Sequence, residues 1–195
     1  MSVLVIIPFI IKLYVYEIHI RKKGNMINLY IDFDGVIKDT IRVSYKMMAD
    51  LGIDLNNRAD VIKFYQSIDW NELLDNSEEL NNAFQNINKI YEEKIFRPAI
   101  LTTVNSLGEM IAKTNYIRSK NEDISIICVP SGVEKSKIVK ASKAILVDDY
   151  SGNLASWVKS GGIGIKFGYD KDYVSIDSLA YFASGEVIKK LALVC

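Results

Sequence analysis

The chain has 195 residues, 49% hydrophobic and 25% charged, and its 24 basic and 24 acidic side chains leave a formal net charge of zero. That is enough chain for one globular domain, or a core domain with a small insertion, and it lacks the positive excess that binds long nucleic acid non-specifically. One histidine, His19, and two cysteines without a CxxC pair, Cys128 and Cys195, argue against a Ser-His-Asp triad, a histidine-rich zinc site or a disulfide framework.

Carboxylates, hydroxyls, lysines and a metal must therefore carry any chemistry. The thiols read as free, in a reducing, cytoplasmic compartment.

Residues 1–25 differ from the rest. Positions 3–11 are almost wholly apolar, Lys12 interrupts them, and positions 14–20 alternate like a strand before Arg21-Lys22-Lys23-Gly24. The tract neither opens with positive charge nor closes on small residues, as a signal peptide does. A membrane span needs about 20 apolar residues, and Lys12, Glu17 and His19 fall inside that window. An extra strand is the preferred reading, with no membrane anchor. The codons for Lys22-Lys23-Gly24 can spell a purine-rich, ribosome-binding-like tract, so Met26 is expected to be the true start. A peptide from residues 1–20 in mass spectra of the native protein would overturn that.

From Met26 the pattern alternates strand and helix. Residues 27–33 form an apolar β-former run. Helices are expected at 40–51, 60–65, 70–74 and 78–95, then a strand at 99–103, a helix at 106–118 and a strand at 124–129. A helix at 134–141, a strand at 144–147, a helix at 153–159 and a strand at 164–167 follow. Short buried runs alternating with helices predict an α/β fold with a parallel sheet. The helical stretch after the first strand is then an insertion: 38–96 a helical cap, 26–37 and 97–195 the core.

In an open parallel sheet, ligands bind at the carboxyl ends of the strands. There the first strand presents Asp32-Phe33-Asp34-Gly35, the second Thr102-Thr103, and the fourth Asp148-Asp149. The third runs out through Pro130-Ser131-Gly132 toward Lys135 and Lys137. One strand-end aspartate is an ordinary turn or helix cap. Two acidic pairs converging on one rim are costly unless a cation relieves them, and oxygen-only ligands suit a hard ion such as Mg²⁺.

These residues resemble the motifs of the haloacid dehalogenase superfamily. Asp32 to Thr40 is similar to its first motif, Thr102 to its second, Lys137 to its third and Leu146 to Asn153 to its fourth, covering roughly residues 28–167. The resemblance implies a Rossmann-like core and a Mg²⁺-dependent phosphatase. Asp32 would be nucleophile and metal ligand. Asp34 would be the general acid, its carbonyl on the metal, and Gly35 the turn beneath the phosphate. Thr102 would donate to a phosphoryl oxygen. Thr103 is its rival, but the two side chains point apart along a strand, and the family pattern favours the first. Lys137 would neutralise the phosphate, with Lys135 close enough to compete. Asp149 would ligate the metal, Asp148 would support it, and Asn153, one turn on, would serve the metal's water shell.

The cap carries Tyr45, Phe64, Tyr65, Trp70, Phe84, Tyr91 and Phe96, which either fill a small core or stack on a base. The stretch of Asp148-Asp149, Asn153, Trp157 and Gly161-Gly162 resembles the 5′(3′)-deoxyribonucleotidase branch, which implies a nucleoside monophosphate substrate. Sugar phosphates, a polynucleotide end and a non-catalytic phosphate-binding role are the alternatives. The expected partner is thus a small phosphorylated molecule.

Overall fold

A computed structural model describes residues 26–184 and 186. The tract 1–25, with the expected extra strand and His19, lies outside the described residues, as does Cys195.

The strands are β1 (Ile27–Ile31), β2 (Phe96–Val104), β3 (Ser125–Pro130), β4 (Ile145–Asp148), β5 (Ile163–Phe167) and β6 (Val174–Ile176). They form one sheet in the order β3-β2-β1-β4-β5-β6, and every pairing is parallel. Strand alternation divides the core. Leu29 and Ile31 join a cluster with Ile100, Ile117, Phe84 and Ile87. Tyr30 packs with Leu101, Leu146, Leu154 and Trp157 in the other cluster.

The helices are α1 (Thr40–Asp50), α2 (Arg58–Ser67), α3 (Trp70–Asp75), α4 (Ala83–Glu93), α5 (Leu107–Lys120), α6 (Lys135–Ile138), α7 (Ser151–Lys159) and α8 (Ala180–Ala183). Side-chain caps start three of them: Asn57 accepts from Ala59 N, Asp69 from Asn71 N, and Ser106 from Glu109 N. On α1 the buried residues are Thr40, Ser44 and Met48, one face at four-residue spacing.

The helix expected over 78–95 begins only at Ala83. Asn81 and Asn82 stand at positive φ, 47° and 55°, a conformation asparagine tolerates and a helix does not. Residues 78–80 instead tie back to the first loop, with Asp39 N bonded to Glu78 O and Leu80 N to Ile37 O. α4 then lies against β2, so it belongs to the helical layer of the sheet, and α1–α3 remain beside the strand ends. Lys38 secures this junction. It is buried, donates to Leu74 O at 2.7 Å and sits 4.2 Å from the centre of the Tyr116 ring.

β6 and α8 leave no periodic signal in the sequence because they span three and four residues. No helix among the described residues is long and apolar enough to cross a membrane.

Candidate active site

The ends of β1 and β4 are neighbours in the sheet, so the chain that follows each meets on one rim. Asp32 N donates to Val147 O at 2.9 Å, which fixes the nucleophile candidate beside β4. Carboxylate oxygens of Asp32, Asp148 and Asp149 lie within 4.8 Å of one another.

Lys135 enters this cluster. Its Nζ lies 2.7 Å from Asp148 Oδ2 and 2.8 Å from Asp32 Oδ1. The second contact is an ion pair outside hydrogen-bonding direction, which leaves Asp32 Oδ1 buried with no hydrogen-bond donor. Lys135 is the one ammonium paired with these carboxylates, and Lys166 bonds the backbone carbonyl of Asp149 rather than its carboxylate, so three carboxylates leave excess negative charge at the rim. Burial pushes the Asp32 carboxyl up to about 8, with Lys135 pulling it back and Asp148 and Asp34 adding to the rise. Burial likewise carries Asp149 up to about 6, helped by Asp148 and Asp34 and opposed by Lys166.

Burial leads both shifts and the crowding of like charges adds to them, a cost that a bound cation would relieve. The donor set is all oxygen, which fits Mg²⁺. Asp148 is already engaged: it accepts from Lys135, from Tyr150 N at 2.9 Å, and from Asn153 Nδ2 at 3.0 and 3.2 Å. Asp32 and Asp149 keep oxygens available. Asn153 therefore orients Asp148, where the sequence pointed to the metal's water shell.

Gly35 makes the cluster possible. Its φ is +69°, and a Cβ built there would lie 2.4 Å from Asp149 Oδ2. Any larger residue would meet that carboxylate and would also strain the backbone.

Two of the expected residues stand elsewhere. Lys137 is exposed, in a surface groove with Lys159 and Ser160, while Lys135 is 1% exposed among the carboxylates. The two lie on one short helical turn, two positions apart, and so point to different sides. Thr102 is fully buried, with its Oγ1 3.2 Å from Lys113 Nζ. Thr103 is the threonine that lines the cleft with Asp32, Asp34 and Asp149.

Asp34 is bound on both oxygens. Thr40 donates to Oδ1 at 2.7 Å and Lys113 to Oδ2 at 2.5 Å. Sequence reading missed Lys113, Glu109 and Thr40. Ser106-x-x-Glu109 is a capping signature, and Glu109 to Lys113 is an i,i+4 pair; together they were the available signal.

The open cleft measures about 560 Å³ and is walled by Tyr45 of α1, Val133 and Tyr150. Tyr45 is 49% and Tyr150 66% exposed. A smaller recess of about 180 Å³ opens beside Asp34 between Thr40, Ser44, Tyr65, Trp70 and Asn105. Of the cap aromatics, Phe64, Trp70, Phe84 and Phe96 are core, and only Tyr45, Tyr65 and the edge of Trp70 reach these spaces. Trp157 is fully buried against Tyr30, with its Nε1 donating to Ala144 O. A Cβ at Gly162 would lie 2.3 Å from that nitrogen. The Trp and Gly-Gly features of the downstream stretch are thus packing, and none of them lines the open cleft or the recess beside Asp34.

No family model and no curated protein sequence matches the chain. Solved structures do. A haloacid dehalogenase-like hydrolase from Xanthomonas campestris superposes with a TM-score of 0.57 at 9% identity, covering 86% of this chain and 93% of that one. A haloacid dehalogenase-superfamily hydrolase of subfamily IA from Geobacter sulfurreducens gives 0.56 at 13% identity, covering 82% and 98%. A D,D-heptose 1,7-bisphosphate phosphatase from Burkholderia thailandensis gives 0.51 at 12%, covering 83% and 98%. The chain has the Rossmann-like α/β fold of these hydrolases.

Proposed function

We propose that this chain is a Mg²⁺-dependent phosphomonoester hydrolase that works through an aspartyl-phosphate on Asp32, with nucleoside or deoxynucleoside monophosphates as substrates. The observation that carries the reading is Asp32 held 2.8 Å from the buried ammonium of Lys135 beside two further carboxylates. A structural turn has no use for so much buried charge.

Asp32, Asp149 and the backbone carbonyl of Asp34 would hold Mg²⁺, which when bound supplies positive charge for the carboxylates and the phosphoryl oxygens. A carboxylate oxygen of Asp32 attacks phosphorus, the bond from phosphorus to the ester oxygen breaks, and Asp34 gives that oxygen its proton. Water then attacks the same phosphorus, Asp34 takes the water proton, and phosphate leaves with Asp32 restored. Lys135 holds Asp32 in line and offsets charge on the transferring group. Thr103 offers its hydroxyl from the facing wall.

The nucleotide reading is supported by Tyr45 and Tyr150, two exposed side chains from different parts of the chain that line the open cleft, of a type that stacks on a base. A second reading, a sugar-phosphate phosphatase, is supported by the recess beside Asp34, where Thr40, Ser44, Tyr65 and Asn105 gather hydroxyl and amide groups. The heptose bisphosphate phosphatase shares this fold.

Hydrolysis of an aryl phosphate, with and without Mg²⁺ and repeated on Asp32→Asn, tests the mechanism. Activity that survives in the variant or without metal would reject it. A panel of nucleoside monophosphates and sugar phosphates then separates the two substrate readings by kcat/KM.

A further inference from the structure

We propose that Lys113 is a positioning residue for the acid Asp34, so that the cap of α5 sets the aim of proton transfer at the site; this rests on the reading of Asp34 as the acid.

Lys113 lies in the middle of α5, a place where a lysine ordinarily covers a helix and keeps its charge in water. Here it is fully buried. Its ammonium faces four acceptors: Asp34 Oδ2 at 2.5 Å, Glu109 Oε1 at 2.6 Å, Thr103 O at 3.1 Å and Thr102 Oγ1 at 3.2 Å. The rings of Trp70 and Phe33 close the remaining sides, 4.9 and 5.5 Å from Nζ. Burial works against the charge on this nitrogen, and Asp34 and Glu109 outweigh it.

The cluster is anchored in backbone. Glu109 N donates to Ser106 Oγ at the helix start, and Glu109 Oε2 accepts from Asn105 N at 2.7 Å. Glu109 is thus tied through both its backbone and its carboxylate, Lys113 is bonded to Glu109, and Asp34 to Lys113. Thr40 fixes the other oxygen of Asp34 from α1, so the carboxylate is pinned between the cap and α5. The phosphate face of the cluster is separate: Lys135 serves Asp32 and Asp148, and Lys113 serves Asp34. A carboxyl group that must give a proton to the ester oxygen, and as carboxylate later take one from water, needs one fixed orientation, and each oxygen keeps a second lone-pair site for that proton beside the hydrogen bond it accepts. Lys113 supplies it without touching substrate, since Asp34 and Thr103 stand between it and the cleft.

The readout is the dependence on the leaving group. An alkyl phosphate needs a proton on its departing oxygen, whereas p-nitrophenolate leaves without one. For each ester, kcat/KM reads the transfer onto Asp32. In Lys113→Met, kcat/KM for an alkyl phosphate is expected to fall about 10²–10⁴-fold, the usual worth of general acid catalysis. For p-nitrophenyl phosphate it is expected to change less than about tenfold, since no proton transfer is at stake.

A merely structural lysine would lower both esters alike, and that result overturns the proposal. If Asp34→Asn also treats the two esters alike, the reading of Asp34 as the acid has failed instead. Removing Lys113 alone leaves Glu109 buried and unpaired. The double variant Lys113→Met/Glu109→Leu removes both charges; the same split between esters is expected from it, and equal losses overturn the proposal there too.

Discussion

Gly35 and Asp149 share one volume: a Cβ on the glycine would fall 2.4 Å from Oδ2 and 2.7 Å from Cγ of the aspartate. The turn after β1 and the turn after β4 are therefore fitted to each other. Gly35→Ala is expected to displace Asp149 and to strain a residue at φ +69°. Kinetics should show kcat/KM down by about 10²-fold or more, the scale of a 1 Å misplacement. Calorimetric Mg²⁺ titration should show weakened binding. Retention of full activity and metal affinity would show that the two turns can part without cost.

The two lysines of α6 make the second test. Lys135→Met removes the ammonium paired with Asp32 and Asp148, and a loss of about 10²–10³-fold in kcat is expected for a lost electrostatic stabiliser. Lys137→Met, on the exposed side, should leave kcat and KM within about twofold, as surface substitutions generally do. The reverse ranking would place the phosphate lysine at Lys137 and would contradict the geometry.

What the amino-acid order alone reveals is whatever depends on strand ends. A parallel sheet forces Asp32, Asp34, Gly35 and the Asp148-Asp149 pair onto one rim, so their types and order suffice. What failed was any choice needing side-chain direction inside a short element. α6 spans four residues, too few for periodicity to tell Lys135 from Lys137. Alternation said that Thr102 and Thr103 point apart, but not which one faces the cleft. Trp157 and Gly162 belonged to a stretch resembling a nucleotidase branch, and in the structure they are a ring packed on a glycine. Lys113 was missed because an i,i+4 pair with Glu109 reads as a solvated one, and its burial comes from Trp70 of α3 and the end of β2, which no helical periodicity reports.

That threonine pair gives the third prediction. Thr103→Val keeps shape and removes the hydroxyl of the threonine that lines the cleft. A hydrogen bond to a charged group is worth about 1.5–3 kcal/mol, so kcat/KM should fall roughly 10- to 100-fold with little change in thermal midpoint. Thr102→Val removes an acceptor from Lys113 in the interior, and its main effect should be on stability. Equal kinetic losses from both would show that the strand offers both hydroxyls to the site.

The carboxylate cluster makes stability depend on pH in an unusual sense. Asp32 is carried up to about 8 and Asp149 to about 6 in the folded metal-free chain, from 3.8 ordinarily. Between those values the folded state holds protons that the unfolded state has lost, so their contribution is fully present at low pH and disappears as pH rises through 6 and then 8. The thermal midpoint of metal-free protein should therefore fall across this window, by roughly 2–4 °C for each kcal/mol lost in a domain of this size. Asp149→Asn should flatten the lower part of the fall. Held as proposed, Mg²⁺ would bind the folded state and take up the same excess charge, so its stabilisation should grow toward pH 8. Differential scanning fluorimetry over a pH series, with Mg²⁺ and with chelator, measures both slopes. A metal-free midpoint that rises through the window in wild type and Asp149→Asn alike would mean that the three carboxylates are not held together as their geometry shows.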